Sequence, residues 1–172
     1  MESVIHCVQQ CMVRHKDDMT RIVLTIDFKN AFNSMNRETF INAVATEAPE
    51  ISRWIRWCYL PISRLLFGNH VVNSSSGVQQ GDALGPALFS LGLHPMLKAI
   101  KDLTGIDIIT AYLDDVVVAG DAQAVLNALL VIQRMCPGLG LELNLTKCRL
   151  IPTGTHVPDS MFAQFPPNIP RN

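Results

Sequence analysis

Asp114 and Asp115, within Tyr112-Leu113-Asp114-Asp115, separate two apolar runs at 106–111 and 116–120. Runs rich in β-branched residues joined across a short polar turn predict an antiparallel hairpin, which puts two adjacent carboxylates at its tip. Such a tip supplies hard oxygen ligands for a divalent cation. The competing reading is an ordinary solvated turn, because Asp favours turns for purely local reasons. A third carboxylate, Asp27, ends the apolar run at 22–26. It is either a strand-end solvent residue or an acid held there for chemistry. Nucleotidyl transfer uses two metal ions about 3.5–4 Å apart and therefore requires clustered carboxylates. A strand ending in Asp27 beside the acidic hairpin would gather three of them at one edge of an antiparallel sheet.

The elements that must position these acids follow from periodicity and punctuation. Residues 3–16 read as an amphipathic helix with Val4, Val8, Cys11 and His15 along one face, and 21–27 as a buried strand. Asn36 can cap a helix running to about Thr46; Pro49 opens a second helix at 50–60, and Pro61 stops it. A hairpin around Gly68-Asn69 joins 63–68 to 70–76, and a long helix follows from Leu84 to Lys101. After the acidic hairpin comes a helix at 121–135, ended by Pro137 and Gly138, then short strands near 141–143 and 147–151. Five prolines between 152 and 170 predict an extended or disordered terminus.

Composition sets the class. A chain of 172 residues with 48% hydrophobic and 17% charged residues is suited to one compact intracellular domain and argues against extended disorder. The apolar stretches are interrupted well before the length of a membrane span, and no secretory segment is evident, although a transit peptide stays open. Nuclear, cytoplasmic and organellar locations all remain compatible. Five cysteines without a C-x-x-C pair indicate neither a disulfide framework nor a zinc site, and the five histidines show no ligand spacing. Fourteen Lys and Arg against fifteen Asp and Glu leave a net charge of −1, which is not the footprint of a strong phosphate binder. Arg53-Trp54-Ile55-Arg56-Trp57 offers a stacking platform with cations, or more simply a helix whose apolar stripe is core and whose arginines face solvent.

Four segments in order resemble the reverse transcriptases, of the non-LTR retrotransposon type, over about 21–151. Leu24-Thr-Ile-Asp-Phe-Lys-Asn-Ala-Phe-Asn-Ser-Met35 is similar to motif A. Gly77-Val-Gln-Gln-Gly-Asp-Ala-Leu-Gly-Pro-Ala-Leu-Phe89 is similar to motif B. Tyr112-Leu-Asp-Asp115 is similar to motif C, and Gly140-Leu-Glu-Leu-Asn-Leu-Thr-Lys-Cys-Arg-Leu150 to motif D with its following strand. The resemblance implies Asp27, Asp114 and Asp115 as catalytic metal ligands, Phe28 offering its carbonyl, and Phe32 as a steric gate that is otherwise plain core. It implies Gln80 and Gly81 at the incoming nucleotide and template, and Lys147 as a proton donor to pyrophosphate that is otherwise a solvated strand residue. Asp82 and Asn144 suit capping or turn roles.

The implied fold is α+β, a polymerase palm: an antiparallel sheet of strands near 21–27, 106–112 and 115–119, backed on one face by the helices at 84–101 and 121–135. The implied division is an N-terminal helix at 1–20 left from the fingers, a palm at 21–151 and a proline-rich tail at 152–172, with full fingers and thumb missing. The implied chemistry is RNA-templated DNA synthesis with two Mg²⁺ ions, Mn²⁺ substituting, on an RNA template, a DNA primer and a deoxynucleoside triphosphate, with no membrane involved. The alternative is a retroelement-derived, catalytically inactive subunit that meets protein partners in a larger assembly.

Overall fold

A computed structural model describes residues 2–154 and 158–171. The chain divides into two compact units. The first comprises 1–29, 96–137 and 142–172; the second comprises 30–95 and 138–141.

The first unit is organised by strand β1 (Arg21–Ile26), whose run of Ile, Val, Leu, Thr and Ile favours extended backbone. It lies inside a four-stranded antiparallel sheet ordered β4-β5-β1-β6, with β4 (Ile106–Tyr112), β5 (Asp115–Asp121) and β6 (Arg149–Pro152). The β1–β5 register runs from Arg21 opposite Asp121 to Ile26 opposite Val116, and β6 pairs the other edge of β1, with Leu24 opposite Leu150. One face of this sheet carries Ile22, Leu24, Ile26, Val116, Val118 and Leu150, all buried. Each such side chain contributes about 1.5–3 kcal/mol of burial energy. Helix α6 (Ala122–Leu139) buries Val125, Leu129, Ile132 and Cys136, a stripe at helical spacing. These elements make the expected α+β palm-like fold.

The opposite sheet face is divided. Helix α1 (Glu2–Arg14) closes one end of it, packing Cys11 against Val23 and Ala119 with Val8, Met12, Ile108, Val117 and Ile151 around them. At the other end Thr25 is only half-buried, and the face opens toward Asp27 and Asp115. The N-terminal helix is thus part of the sheet's packing.

The second unit holds α2 (Ala31–Ser34), α3 (Arg37–Glu47), α4 (Pro49–Tyr59), the hairpin β2 (Ser63–Phe67) and β3 (His70–Ser74), and most of α5 (Gly85–Lys101). Asn36 caps α3, its side chain accepting a hydrogen bond from the Glu38 N–H at 3.0 Å, and Pro49 occupies the first turn of α4, both as the sequence predicts. The apolar stripe expected on α4 at Ile51, Trp54, Ile55 and Cys58 holds only in part. Ile55 is buried and Cys58 half-buried, but Ile51 and Trp54 are exposed, Trp54 lying beside the exposed Trp57 with ring centroids 5.3 Å apart.

Two expectations are corrected. Helix α6 runs through Pro137 to Leu139, so the proline does not end it at 135. A proline two residues from a helix end removes one hydrogen bond without breaking the preceding turns. Residues 158–171 are also not an extended tail. Asp159–Phe162 form a 3-10 turn; Phe162, Phe165 and Ile169 are buried; and the Leu150 N–H donates to the Pro170 carbonyl at 3.0 Å. Three apolar anchors at short spacing outweigh the prolines' preference for extended backbone. Phe165→Ala should therefore lower stability by about 3–5 kcal/mol. Urea unfolding would detect this, whereas an undocked terminus would show no change.

Candidate active site

Asp27 is the first residue beyond β1 and Asp115 the first of β5. Because Ile26 faces Val116, the next residues outward in this antiparallel pair are Asp27 and Asp115. Alternation places both on the face of Val23, Thr25, Val117 and Ala119, at the end that α1 leaves open. Asp114 lies in the two-residue turn that closes β4 onto β5, where Tyr112 pairs with Asp115. Its neighbour Leu113 has φ 59°, the positive φ that favoured two-residue hairpin turns require, at a cost of order 1–3 kcal/mol for a non-glycine side chain. The three sequence-predicted acids therefore converge at one end of the sheet, Asp27 and Asp114 half-buried and Asp115 exposed.

The backbone around Asp27 is held by a distant part of the chain. Its carbonyl accepts from the Asn144 N–H at 2.9 Å, and its own N–H donates to Cys148 Sγ at 3.4 Å. The Lys29 N–H donates to the Glu142 carbonyl at 2.8 Å, and Lys29 Nζ to Glu142 Oε1. Between these two backbone bonds Phe28 forms an antiparallel bridge with Leu143. In that pattern Phe28 and Leu143 do not bond each other, so the Phe28 carbonyl points to the other side, free for a ligand. Asn144 accepts from the Lys147 and Cys148 N–H groups, closing a turn that leaves the Lys147 side chain exposed; Lys147 stands on this turn and not on a strand. Burial pushes the Cys148 thiol above its usual range and the Cys136 thiol up to about 11, leaving both as unreactive core groups.

The acid set suits divalent metal. Its donors are hard carboxylate oxygens with a backbone carbonyl beside them. The three carboxylates do not close to within 4.8 Å of one another.

Phe32, Gln80 and Gly81 belong to the second unit. Phe32 sits on α2, half-buried, its ring stacked on Phe89 of α5 with centroids 4.4 Å apart and planes at 9°. Gln80 and Gly81 form an exposed turn in which Gly81 has φ 87°. A cavity of about 480 Å³ adjoins them, lined by Asn33, Ser63, Ser74, Ser76, Gln79 and Gln80. Gly77 is required sterically: it has φ 67°, and an added Cβ would lie 2.4 Å from the Phe32 carbonyl oxygen.

Two residues not singled out from sequence organise this loop. Buried Arg37 donates to the carbonyls of Gly77 at 3.0 Å and Ser74 at 2.9 Å and to Ser74 Oγ at 2.7 Å. Burial lowers its pKa. The Tyr59 hydroxyl accepts from the Gln79 N–H at 3.2 Å and donates to Asp82 Oδ2, while Asp82 Oδ1 accepts from the Leu84 N–H in the turn ahead of α5, the turn role of the two expected for it. The only sequence signal for either was a polar group on an otherwise apolar helix stripe.

Residues 2–157 match the reverse transcriptase (RNA-dependent DNA polymerase) family, and the chain belongs to that family. It is 28% identical over 139 residues to the retrotransposable element SLACS 132 kDa protein of Trypanosoma brucei gambiense, a likeness in line with the retrotransposon type that the motifs resemble. The match covers 73% of this chain and 11% of that protein. Among solved structures it resembles apo telomerase from Candida tropicalis, with TM-score 0.63 and 13% identity over 86% of this chain and 32% of that one. Telomerase from Candida albicans, in complex with a TWJ fragment of telomeric RNA, gives TM-score 0.54 and 10% identity over 84% and 30%. The chain thus spans about a tenth of that curated relative and about a third of those telomerase chains. The family normally uses divalent metal ions. Among the described residues, no helix is long and apolar enough to cross a membrane.

Two outcomes test the second unit's organisation. Arg37→Ala leaves the Gly77 and Ser74 carbonyls without their buried donor and should cost about 2–4 kcal/mol in denaturant unfolding. The Tyr59 hydroxyl is raised from 10.0 to about 12, chiefly by burial and then by Asp82. An acid whose folded pKa is raised adds stability that is complete below pH 10 and lost as pH climbs toward 12. In stability measured against pH, wild type should fall over that window more steeply than Tyr59→Phe.

Proposed function

We propose that this domain carries out RNA-templated DNA synthesis, extending a DNA primer by nucleotidyl transfer. The observation that carries this reading is the convergence of Asp27 and Asp115, adjacent in register, with Asp114 at the hairpin tip, in a chain of the reverse transcriptase family. Asp27, Asp114, Asp115 and the Phe28 carbonyl would hold two Mg²⁺ ions, with Mn²⁺ as a substitute. When bound, the ions neutralise phosphate charge and acidify the attacking hydroxyl.

In the reaction the primer 3′-oxygen bonds to the α-phosphorus of a deoxynucleoside triphosphate, its proton passes to solvent, and the bond to pyrophosphate breaks. The exposed Lys147 ammonium serves as proton donor to that leaving group. Phe32, fixed by its stack on Phe89, presents a rigid ring for excluding a 2′-hydroxyl. Gln80 and Gly81, on an exposed turn anchored by Tyr59 and Asp82, offer backbone and amide groups to the nucleotide and template. The glycine lets the backbone approach closely.

A second reading, an interaction subunit without catalysis, has one observation in its favour. Hairpin β2–β3 exposes Leu65, Leu66, Phe67, Val71 and Val72. An apolar surface of this extent is a usual mark of a contact surface.

Primer extension on an RNA template with Mg²⁺ or Mn²⁺ separates the two. Wild type should extend, and Asp27→Asn or Asp114→Asn should reduce the rate by on the order of 10²–10³-fold at unchanged fold, the usual loss when transition-state charge stabilisation is removed. Equal extension by the variants would refute the site. A folded wild type without activity would favour the second reading.

A further inference from the structure

A second cluster of ligand-type side chains lies on the same sheet face, at the end closed by α1. Cys11 Sγ, a His15 ring nitrogen and an Asp107 carboxylate oxygen all lie within 4.8 Å of one another. Cys11 and His15 stand four residues apart, and the His15 N–H donates to the Cys11 carbonyl at 3.0 Å, so the helical turn continues through His15 and stacks both side chains on one face. Asp107 comes from β4, where the register with β5 shifts between Ile106 and Ile108. That irregularity is a bulge, a device that re-aims a side chain, and here it turns Asp107 toward α1.

We propose that Cys11, His15 and Asp107 form a zinc site that staples α1 to the edge strand β4. A thiolate, an imidazole and a carboxylate are zinc's ordinary donors, and three protein ligands leave the fourth position to water. Bond lengths of about 2.0–2.3 Å imply separations of about 3.3–3.6 Å between ligands of a tetrahedral ion, so closure asks each pair to approach by at most about 1.5 Å. An adjoining cavity of about 250 Å³ is lined by Cys7, Gln10, Cys11, Arg14, His15 and Asp107, which gives the ion a route in.

The surroundings suit such a site. Asp18 Oδ2 lies 3.9 Å from His15 Nδ1, a carboxylate neighbour of the kind that orients metal-bound imidazoles. Arg21 Nε is ion-paired to Asp107 Oδ2 at 3.1 Å without aligned hydrogen-bond geometry, so a bound ion would share the Asp107 carboxylate with Arg21. Binding expels the Cys11 thiol proton to solvent. The resulting dication with two anionic ligands is neutral beside Arg14 and Arg21, which removes the charge conflict a bare cation would meet. The sequence hid the site because two ligands lie on a helix and the third lies 92 residues later, with no repeat of Cys or His to flag it.

Cobalt(II) titration of the whole chain tests this without reference to polymerase activity. Wild type should develop a near-ultraviolet thiolate-to-cobalt charge-transfer band at one equivalent, displaced by Zn²⁺. Oxygen ligands alone, such as the acid set at Asp27, give no such band. Cys11→Ser should abolish it, His15→Ala should weaken binding at least tenfold, and Cys58→Ser should leave it intact. Thermal unfolding should show Zn²⁺ raising the wild-type midpoint above its value in chelator, and not that of Cys11→Ser. The proposal is overturned if wild type develops no band, or if the band survives Cys11→Ser.

Discussion

Strand β1 is hydrogen-bonded along both edges, and that double pairing is the constraint on which the rest of the first unit depends. β5 on one side fixes which residue stands opposite Asp27, and β6 on the other fixes the strand's height. A one-residue slip would send Asp27 and Asp115 to opposite faces and take Ile22, Leu24 and Ile26 out of the core face they fill. The cost of displacing three buried apolar side chains therefore enforces the geometry of the acids. Packing on the buried face sets position on the open one, and the carboxylates need no mutual attraction to hold them.

A complementary logic governs the second unit. Its loop at 77–82 has little apolar material, so polar anchors replace packing. Arg37 collects three carbonyls and a hydroxyl, and the Tyr59 hydroxyl bridges Gln79 to Asp82. Buried donors of this kind are exacting, because any carbonyl left unpaired costs more than the bond contributes. The loop's shape is consequently specified residue by residue, with Gly77 excluding any side chain at its closest approach to α2.

How far this was legible in the sequence differs by element. Strand β1, the acidic hairpin and α3 with its Asn36 cap could be read locally, since period, turn chemistry and capping all act within a few residues. The convergence of Asp27 with Asp114 and Asp115 followed from the motif order. Other features were hidden because their causes are non-local. Nothing within 121–139 says that α6 continues past Pro137, and the prolines after 152 mask Phe162, Phe165 and Ile169, whose burial depends on a surface elsewhere in the fold. Arg37 looks like a solvent residue until Ser74 and Gly77 are brought to it. Asp107 reads as a strand residue, and only the register shift turns it to the α1 face.

The bonds from Asn144 and Cys148 to Asp27 have a consequence for how the chain folds. Asp27 and Cys148 are separated by 121 residues, and β1 gains its second partner only when 149–152 arrive. During synthesis the hairpin of β4 and β5 can form and capture β1 well before that, leaving the β6 side of β1 as an open strand edge. Loop closure over so long a span is slow, and an unpaired apolar edge invites intermolecular pairing in the interval. Asp27, the first of the three acids in the sequence, is thus among the last to have its backbone secured. Yield of soluble protein is expected to be limited by this late closure more than by the final stability of the sheet.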